Sequence, residues 1–198
     1  TLAAERHVSS PPFMVLASKI PIEMECTYPL PDAQLDRFLF KVLVPAPDED
    51  TLVAILDRTT GNATPEVPAV LDGDRILAVR RLVRDVQVAE PVARYVARFV
   101  RASDPAAPEA APAARAHLRY GAGVRGAQSW LLAAKASALM AGRGHVGFED
   151  LARTRQPALR HRILPSFEAE AEGSGPDAIL DALAGEVSET PASLVSVG

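Results

Sequence analysis

Cysteine occurs once in the 198 residues, at Cys26, so the chain can form neither an internal disulfide nor a thiolate zinc cluster. That usage suits a reducing compartment, and a cytoplasmic location is expected. No uninterrupted apolar run reaches the roughly 18 residues that a membrane-spanning helix needs. The first residues also lack the basic, apolar and small-residue succession of a secretory leader. Neither secretion nor a membrane span is expected. Positive charge is not in surplus: the formal net charge is −4, spread over many Arg, Asp and Glu residues. There is no basic field to wrap nucleic acid and no polybasic membrane anchor, so neither is an expected partner. The four histidines, His7, His117, His145 and His161, have no metal-type spacing, and surface positions are expected for most of them. No metal site is predicted. Ser9, Ser10 and Ser18 have no nucleophile-elbow context. What the chain does have is apolar content: at 48% it can bury a core as one domain or two small ones.

The apolar residues change period along the chain. PPFMVLAS at 11–18 and FLFKVLV at 38–44 are short apolar runs between proline breaks, and both read as buried strands. Between them, TYPLPDAQLDRF leads through two prolines into a single helical turn around residues 32–37. From Asp48 onward the period is helical. Leu52, Val53, Ile55 and Leu56 share one face, stopped by Thr60, Gly61 and Asn62; Ile76, Val79, Leu82, Val83 and Val86 repeat the habit. Val92, Tyr95, Val96, Phe99 and Val100 fill the i, i+3, i+4, i+7, i+8 template. The Ala/Pro tract at 102–116 reads as an exposed, partly extended loop that buries little. A long Ala-rich helix follows at 124–141, with Trp130 and Met140 read as core. Phe148 begins a shorter helix, Pro157 opens the run PALRHRI, and 176–187 supplies a last helix before a frayed tail. A two-strand fragment is a poor independent fold, and the chain begins with Thr1 rather than Met. Further strands are therefore expected to lie in sequence upstream.

Three motifs need a decision. GAGVRG at 121–126 satisfies G-x-G-x-x-G before a helix, but ARAHLRY ahead of it lacks strand character, which argues against a dinucleotide site. The glycines instead let the chain turn tightly and leave Arg125 on the first helical turn. The helix dipole disfavours a cation there, so a nearby anion is the physical reason for its placement. Arg37 is a second arginine at a rigid entry, between prolines and an apolar run. Taken singly, either arginine reads more cheaply as a solvated charge or surface ion pair. EAEAEG at 168–173 reads as a solvated edge.

Longer stretches tie these residues together. VLASKIPIEMECTYPLPDAQLDRFLFKV, GAGVRGAQSWLLAAKASALMAGRGHVGFEDL, LRHRI and EAEAEG resemble signature segments of the MoxR family of AAA+ ATPases, and LAAERHV resembles the segment that follows the family's Walker B motif. The resemblance implies a mostly α chain: a remnant of the α/β AAA+ core with two or so strands at 1–46, an all-helical lid domain at 47–188, and a disordered tail at 189–198. It implies ATP and Mg²⁺ bound between subunits of a homo- or hetero-oligomeric ring, usually a hexamer. Chaperone-like assembly or activation of partners follows, some of them bearing von Willebrand factor A domains. Arg37 matches the family's arginine finger, which reaches the γ-phosphate held by a neighbouring subunit. Arg125 matches the sensor 2 arginine, which contacts phosphate from the lid. Both would then serve one triphosphate. The departures are equally specific: the sequence holds no G-x-x-x-x-G-K-[ST] loop and no Walker B strand, and Ile20 stands where the family's sensor 1 asparagine positions water. The chain alone is therefore expected to be inactive, and a catalytically silent, lid-bearing interaction subunit is the alternative reading.

Overall fold

The structure, a computed structural model, describes residues 10–19, 31–62 and 66–189. The chain divides into two compact units: residues 1–19 with 43–81, and residues 20–42 with 82–198.

In the first unit, two helices begin where carboxylates can accept their free amides. Asp48 Oδ1 accepts the Thr51 N–H at 2.8 Å and opens helix α2, Glu49–Thr59. Asp72 Oδ1 accepts the Arg75 N–H at 2.8 Å in the first turn of α3, Gly73–Asp85. Both helices match the apolar spacing, yet neither contains a buried residue, and Leu52, Val53, Ile55 and Leu56 all remain exposed. The strands expected at 11–18 and 38–44 do not form among the described residues. An apolar run becomes a strand only when a neighbour completes its hydrogen-bond ladder, and neither run meets one here.

The second unit holds the buried core. Before it in sequence comes α1, the single turn Asp32–Leu35, which starts right after Pro31. Helix α4, Glu90–Ala102, has Pro91 in its first turn and buries Val92, Tyr95, Val96 and Phe99 along one stripe. Tyr95 and Phe99 meet Trp130 and Phe148 in tilted and edge-on ring contacts, with centroids 4.9 to 6.1 Å apart. Trp130 comes from α6, Gly123–Met140, and Phe148 opens α7, Phe148–Leu159. Fully buried, the Trp130 indole N–H donates to the Leu151 carbonyl at 2.8 Å, so the largest side chain of the core also joins two helices. The start of α7 is fixed by Asp150, which accepts from Gly147 N at 2.9 Å, Ser137 Oγ at 2.9 Å and Arg143 at 2.7 Å. Burial raises the Asp150 carboxyl, but those three donors outweigh it and hold the group below the usual carboxylate range.

The Ala/Pro tract departs from its expected exposure. Ala102, Ser103, Ala110, Ala111, Ala113 and Ala114 are buried, and Pro112–His117 forms helix α5, with the Ala113 N–H capped by Glu186 at 3.0 Å. Alanine supplies little apolar area but allows close backbone approach, and here small size mattered more than payload. After α5, Leu118–Tyr120 forms strand β1, antiparallel to β2 at Leu164–Pro165. The ARAHLRY stretch thus does carry a strand, although in a two-stranded antiparallel ribbon and not in the buried parallel sheet of a dinucleotide fold. Gly121 follows because a Cβ would lie 2.5 Å from the Ser103 carbonyl oxygen, and Gly123 follows because φ is +63°. EAEAEG lies on α8, Phe167–Ala171, and the chain's last described helix is α9, Pro176–Glu186, burying Ile179, Leu180 and Leu183. Pro157 lies inside α7 instead of opening a new run.

Met140, expected in the core, is 89% exposed at the end of α6, although Ala138 two residues earlier is fully buried. The two residues should part in a urea-denaturation experiment. Trp130→Ala is expected to cost about 3–5 kcal/mol, through lost apolar contact and the lost indole hydrogen bond to the Leu151 carbonyl. Met140→Ala should change stability by less than about 0.5 kcal/mol.

Candidate functional site

The candidate site lies in the second unit, where the turn α1 meets α6 and the end of α7. Pro31 accepts the Gln34 N–H at 2.7 Å, and Arg37 N and Phe38 N close further turns onto Gln34 and Leu35. The turn is tight, and it places Asp36 and Arg37 on successive positions.

Arg162, just beyond α7, is the hub. Its side chain is 2% exposed and every acceptor around it is close. Nη2 donates to the Phe38 carbonyl at 2.7 Å, the Asp36 carbonyl at 3.0 Å and Ser129 Oγ of α6 at 3.0 Å. Nε donates to Asp36 Oδ1 at 3.1 Å, while Nη1 reaches the Leu39 carbonyl at 3.3 Å and the Ala158 carbonyl. A planar fork with five N–H groups can satisfy a turn of backbone carbonyls from one point, which a lysine ammonium cannot do. Burial pushes Arg162 down from its usual range, and the Asp36 carboxylate opposes that. Two further links fasten the same segment: the Lys41 N–H donates to the Pro157 carbonyl at 2.9 Å, and His161 Nε2 lies 3.0 Å from the Phe38 carbonyl. A carbonyl only accepts, so Nε2 carries the proton and the buried Nδ1 has no partner. His161 is therefore a buried histidine and departs from the surface position expected for most of the four.

Arg125 sits on the first turn of α6 with 57% of its side chain exposed, and its Nη1 lies 3.3 Å from Asp36 Oδ2. Asp36 thus faces two arginines, one oxygen on the buried Arg162 and the other on the open Arg125. The anion that the placement of Arg125 calls for is, in this structure, a side chain of the chain itself. Arg37, adjacent in sequence, is exposed, and its guanidinium has no hydrogen-bond or ion-pair partner among the described residues. Both sequence-predicted arginines are present at this site, while Ile20 lies outside the described residues. Sequence reasoning missed Asp36 and Arg162. LRHRI contained the signal: a charged residue flanked by residues as apolar as Leu159 and Ile163 must find its acceptors inside.

With this geometry in place, comparisons with known proteins define the class. Residues 1–40 match the family described as ATPase family associated with various cellular activities, and residues 110–183 match the AAA lid domain. A crystal structure of a candidate ATPase from Cytophaga hutchinsonii superposes with a TM-score of 0.86 at 30% identity, covering 96% of this chain and 58% of that one. Residues 110–183, within the helical unit, are thus those of an AAA+ lid domain. Among curated proteins, Chaperone MoxR1 of Mycobacterium tuberculosis is 30% identical over 89% of this chain and 49% of its own length. Protein MoxR of Paracoccus denitrificans is 34% identical over 91% and 59%. The chain belongs to the MoxR family of AAA+ ATPases, and it spans about half the length of the curated relatives it matches. No helix among the described residues is long and apolar enough to cross a membrane.

Two measurements check the anchoring. Arg162→Ala leaves several carbonyls and Asp36 without their donor and is expected to cost about 3 kcal/mol in chemical denaturation. Burial holds the His161 imidazole below its ordinary 6.5; the Phe38 carbonyl opposes that shift, the Arg162 and Lys41 charges add to it, and Asp36 opposes it again. The unfolded chain then takes up a proton near pH 6.5 that the folded chain refuses until lower pH. Stability should be complete above that pH and decline as pH drops below it. His161→Gln, which keeps a donor for Phe38, should remove that decline.

Proposed function

We propose that this chain acts within a MoxR-type ring in which ATP is bound and hydrolysed at subunit interfaces, with Arg37 as the arginine finger and Arg125 as the sensor 2 residue. The observation that carries the reading is the exposed guanidinium of Arg37, unpartnered among the described residues, at the end of a turn that Arg162 fastens. A cation without an ion pair among the described residues, carried on a fastened backbone turn, suits charge developing on a phosphate supplied from outside the chain. Two guanidinium groups fit phosphate oxygens and do not fit a cation. The sequence contains no P-loop, so neither Mg²⁺ nor the triphosphate's main cradle can come from these residues. The proposed roles are therefore accessory: the finger completes a neighbour's site, and sensor 2 reports phosphate to the lid. Chaperone-like assembly or activation of partner proteins in the cytoplasm, von Willebrand factor A domain proteins among them, extends the reading from the family.

A second reading is favoured by Ile20, which cannot orient an attacking water. In it the chain is a catalytically silent subunit that regulates a partner complex.

The test is complementation. The purified chain alone should show no ATP turnover. Mixed with a complete MoxR-family ATPase whose own arginine finger has been removed, it should restore hydrolysis, and Arg37→Ala should lower the restored rate at least about 100-fold. Association without any restored hydrolysis would select the silent subunit instead.

A further inference from the structure

Asp36 is the residue that the proposed roles leave unused. It stands between two arginines of very different burial: Arg162, whose side chain is 2% exposed, and Arg125, at 57%. The two contacts are not equivalent. Arg162 also grips the backbone carbonyls of Asp36, Phe38 and Leu39, so its hold on the turn survives without the carboxylate. Among the described residues Arg125 has a single contact, to Asp36 at 3.3 Å, and 57% of its side chain is exposed. A solvent-exposed pair of this kind is worth little and exchanges readily. A phosphate group, with more charge and more acceptor oxygens than a carboxylate, outcompetes it for a guanidinium.

Resting on the phosphate role proposed above for Arg125, we infer that Asp36 is an internal stand-in for phosphate: it occupies Arg125 when no nucleotide is present and gives it up when a phosphate arrives. Asp36 is then a positioning residue. Its carboxylate holds Arg125 beside the turn that carries Arg37, so the ligand state of Arg125 is felt one peptide bond from the finger. Loss of Arg125 leaves Asp36 with Arg162 alone, and the turn keeps its backbone clamp while the charge beside Arg37 is less neutralised. Phosphate capture on the lid and the electrostatic setting of the finger are thereby linked through one carboxylate.

The probe is inorganic tripolyphosphate, titrated into the full 198-residue chain at constant ionic strength. Asp36→Asn removes the competitor and is expected to tighten binding about two- to fivefold, the size of an exposed pair. The gain should disappear when Arg125→Ala is added, which separates competition at Arg125 from a general loss of negative charge. A readout on the unaltered chain stands beside it and does not depend on any variant folding: the carbon-13 resonance of the Asp36 carboxylate should move as tripolyphosphate saturates. Binding that depends on Arg125 but is unchanged by Asp36→Asn, or a static Asp36 resonance at saturation, overturns the inference alone. Binding that ignores Arg125 in both backgrounds removes the phosphate role of Arg125, and the inference with it.

Discussion

The arrangement around the candidate site depends on one buried guanidinium. Arg162 gathers the carbonyls of Asp36, Phe38 and Leu39 from the segment that follows α1, the Ala158 carbonyl from α7 and the Ser129 hydroxyl from α6. A strand would satisfy carbonyls such as these with a neighbouring ladder. Residues 38–42 have no such neighbour among the described residues, and a single five-donor side chain takes its place, helped by Lys41 N on Pro157 and by His161 on Phe38. Burying a charge for this purpose is costly, and the cost is acceptable only because nearly every donor finds an oxygen. The consequence is geometric. A turn without a sheet around it is nevertheless fixed to the lid.

That anchoring needs a rigid lid. The aromatic quartet of Tyr95, Phe99, Trp130 and Phe148 binds α4 to α6 and α7, and the Trp130 indole N–H fixes the α6–α7 pair through Leu151. Asp150 does for the start of α7 what Arg162 does for its end: one charged side chain collects several otherwise free partners, here donors instead of acceptors. Helix α7 is therefore clamped by charge at both ends and by apolar contact between them. Ser129, one residue from Trp130, joins core and site directly.

Much of this was legible in the sequence, and the exceptions share a cause. Apolar spacing located α2, α3 and α4, because helical period is a local property, and α6, α7 and α9 were also read from the sequence. The single turn near Asp32 was readable from Pro31 for the same reason. Burial was less legible. The apolar faces of α2 and α3 look like that of α4, yet only α4 is buried, since burial depends on what else is present to pack. The strand-like runs failed for want of a ladder, and the Ala/Pro tract succeeded because small residues pack where large ones would clash. At the site, Arg37 and Arg125 stood out as cations at rigid positions. Asp36 and Arg162 did not, because a residue's role as partner is a long-range fact: 126 positions separate them.

The three arginines form a series in which burial sets what each can do. Arg162 is enclosed and fully engaged, so no ligand can recruit it, and it can serve only as structure. Arg125 is half open and, among the described residues, held by one contact, which a competing anion could replace. Arg37 is exposed and unpaired among the described residues, so it is available without any exchange. Asp36 belongs to the first two by contact and to the third by sequence. Moving that carboxylate by a single position would change all three at once: the anchor would lose its one charged acceptor, the exchangeable arginine its partner, and the free arginine the neighbour that sets its surroundings. A dipeptide of opposite charges is common on protein surfaces and usually inconsequential. Here it carries weight because one of its members is fastened from inside, and a fixed charge, unlike a solvated one, can bias the groups around it.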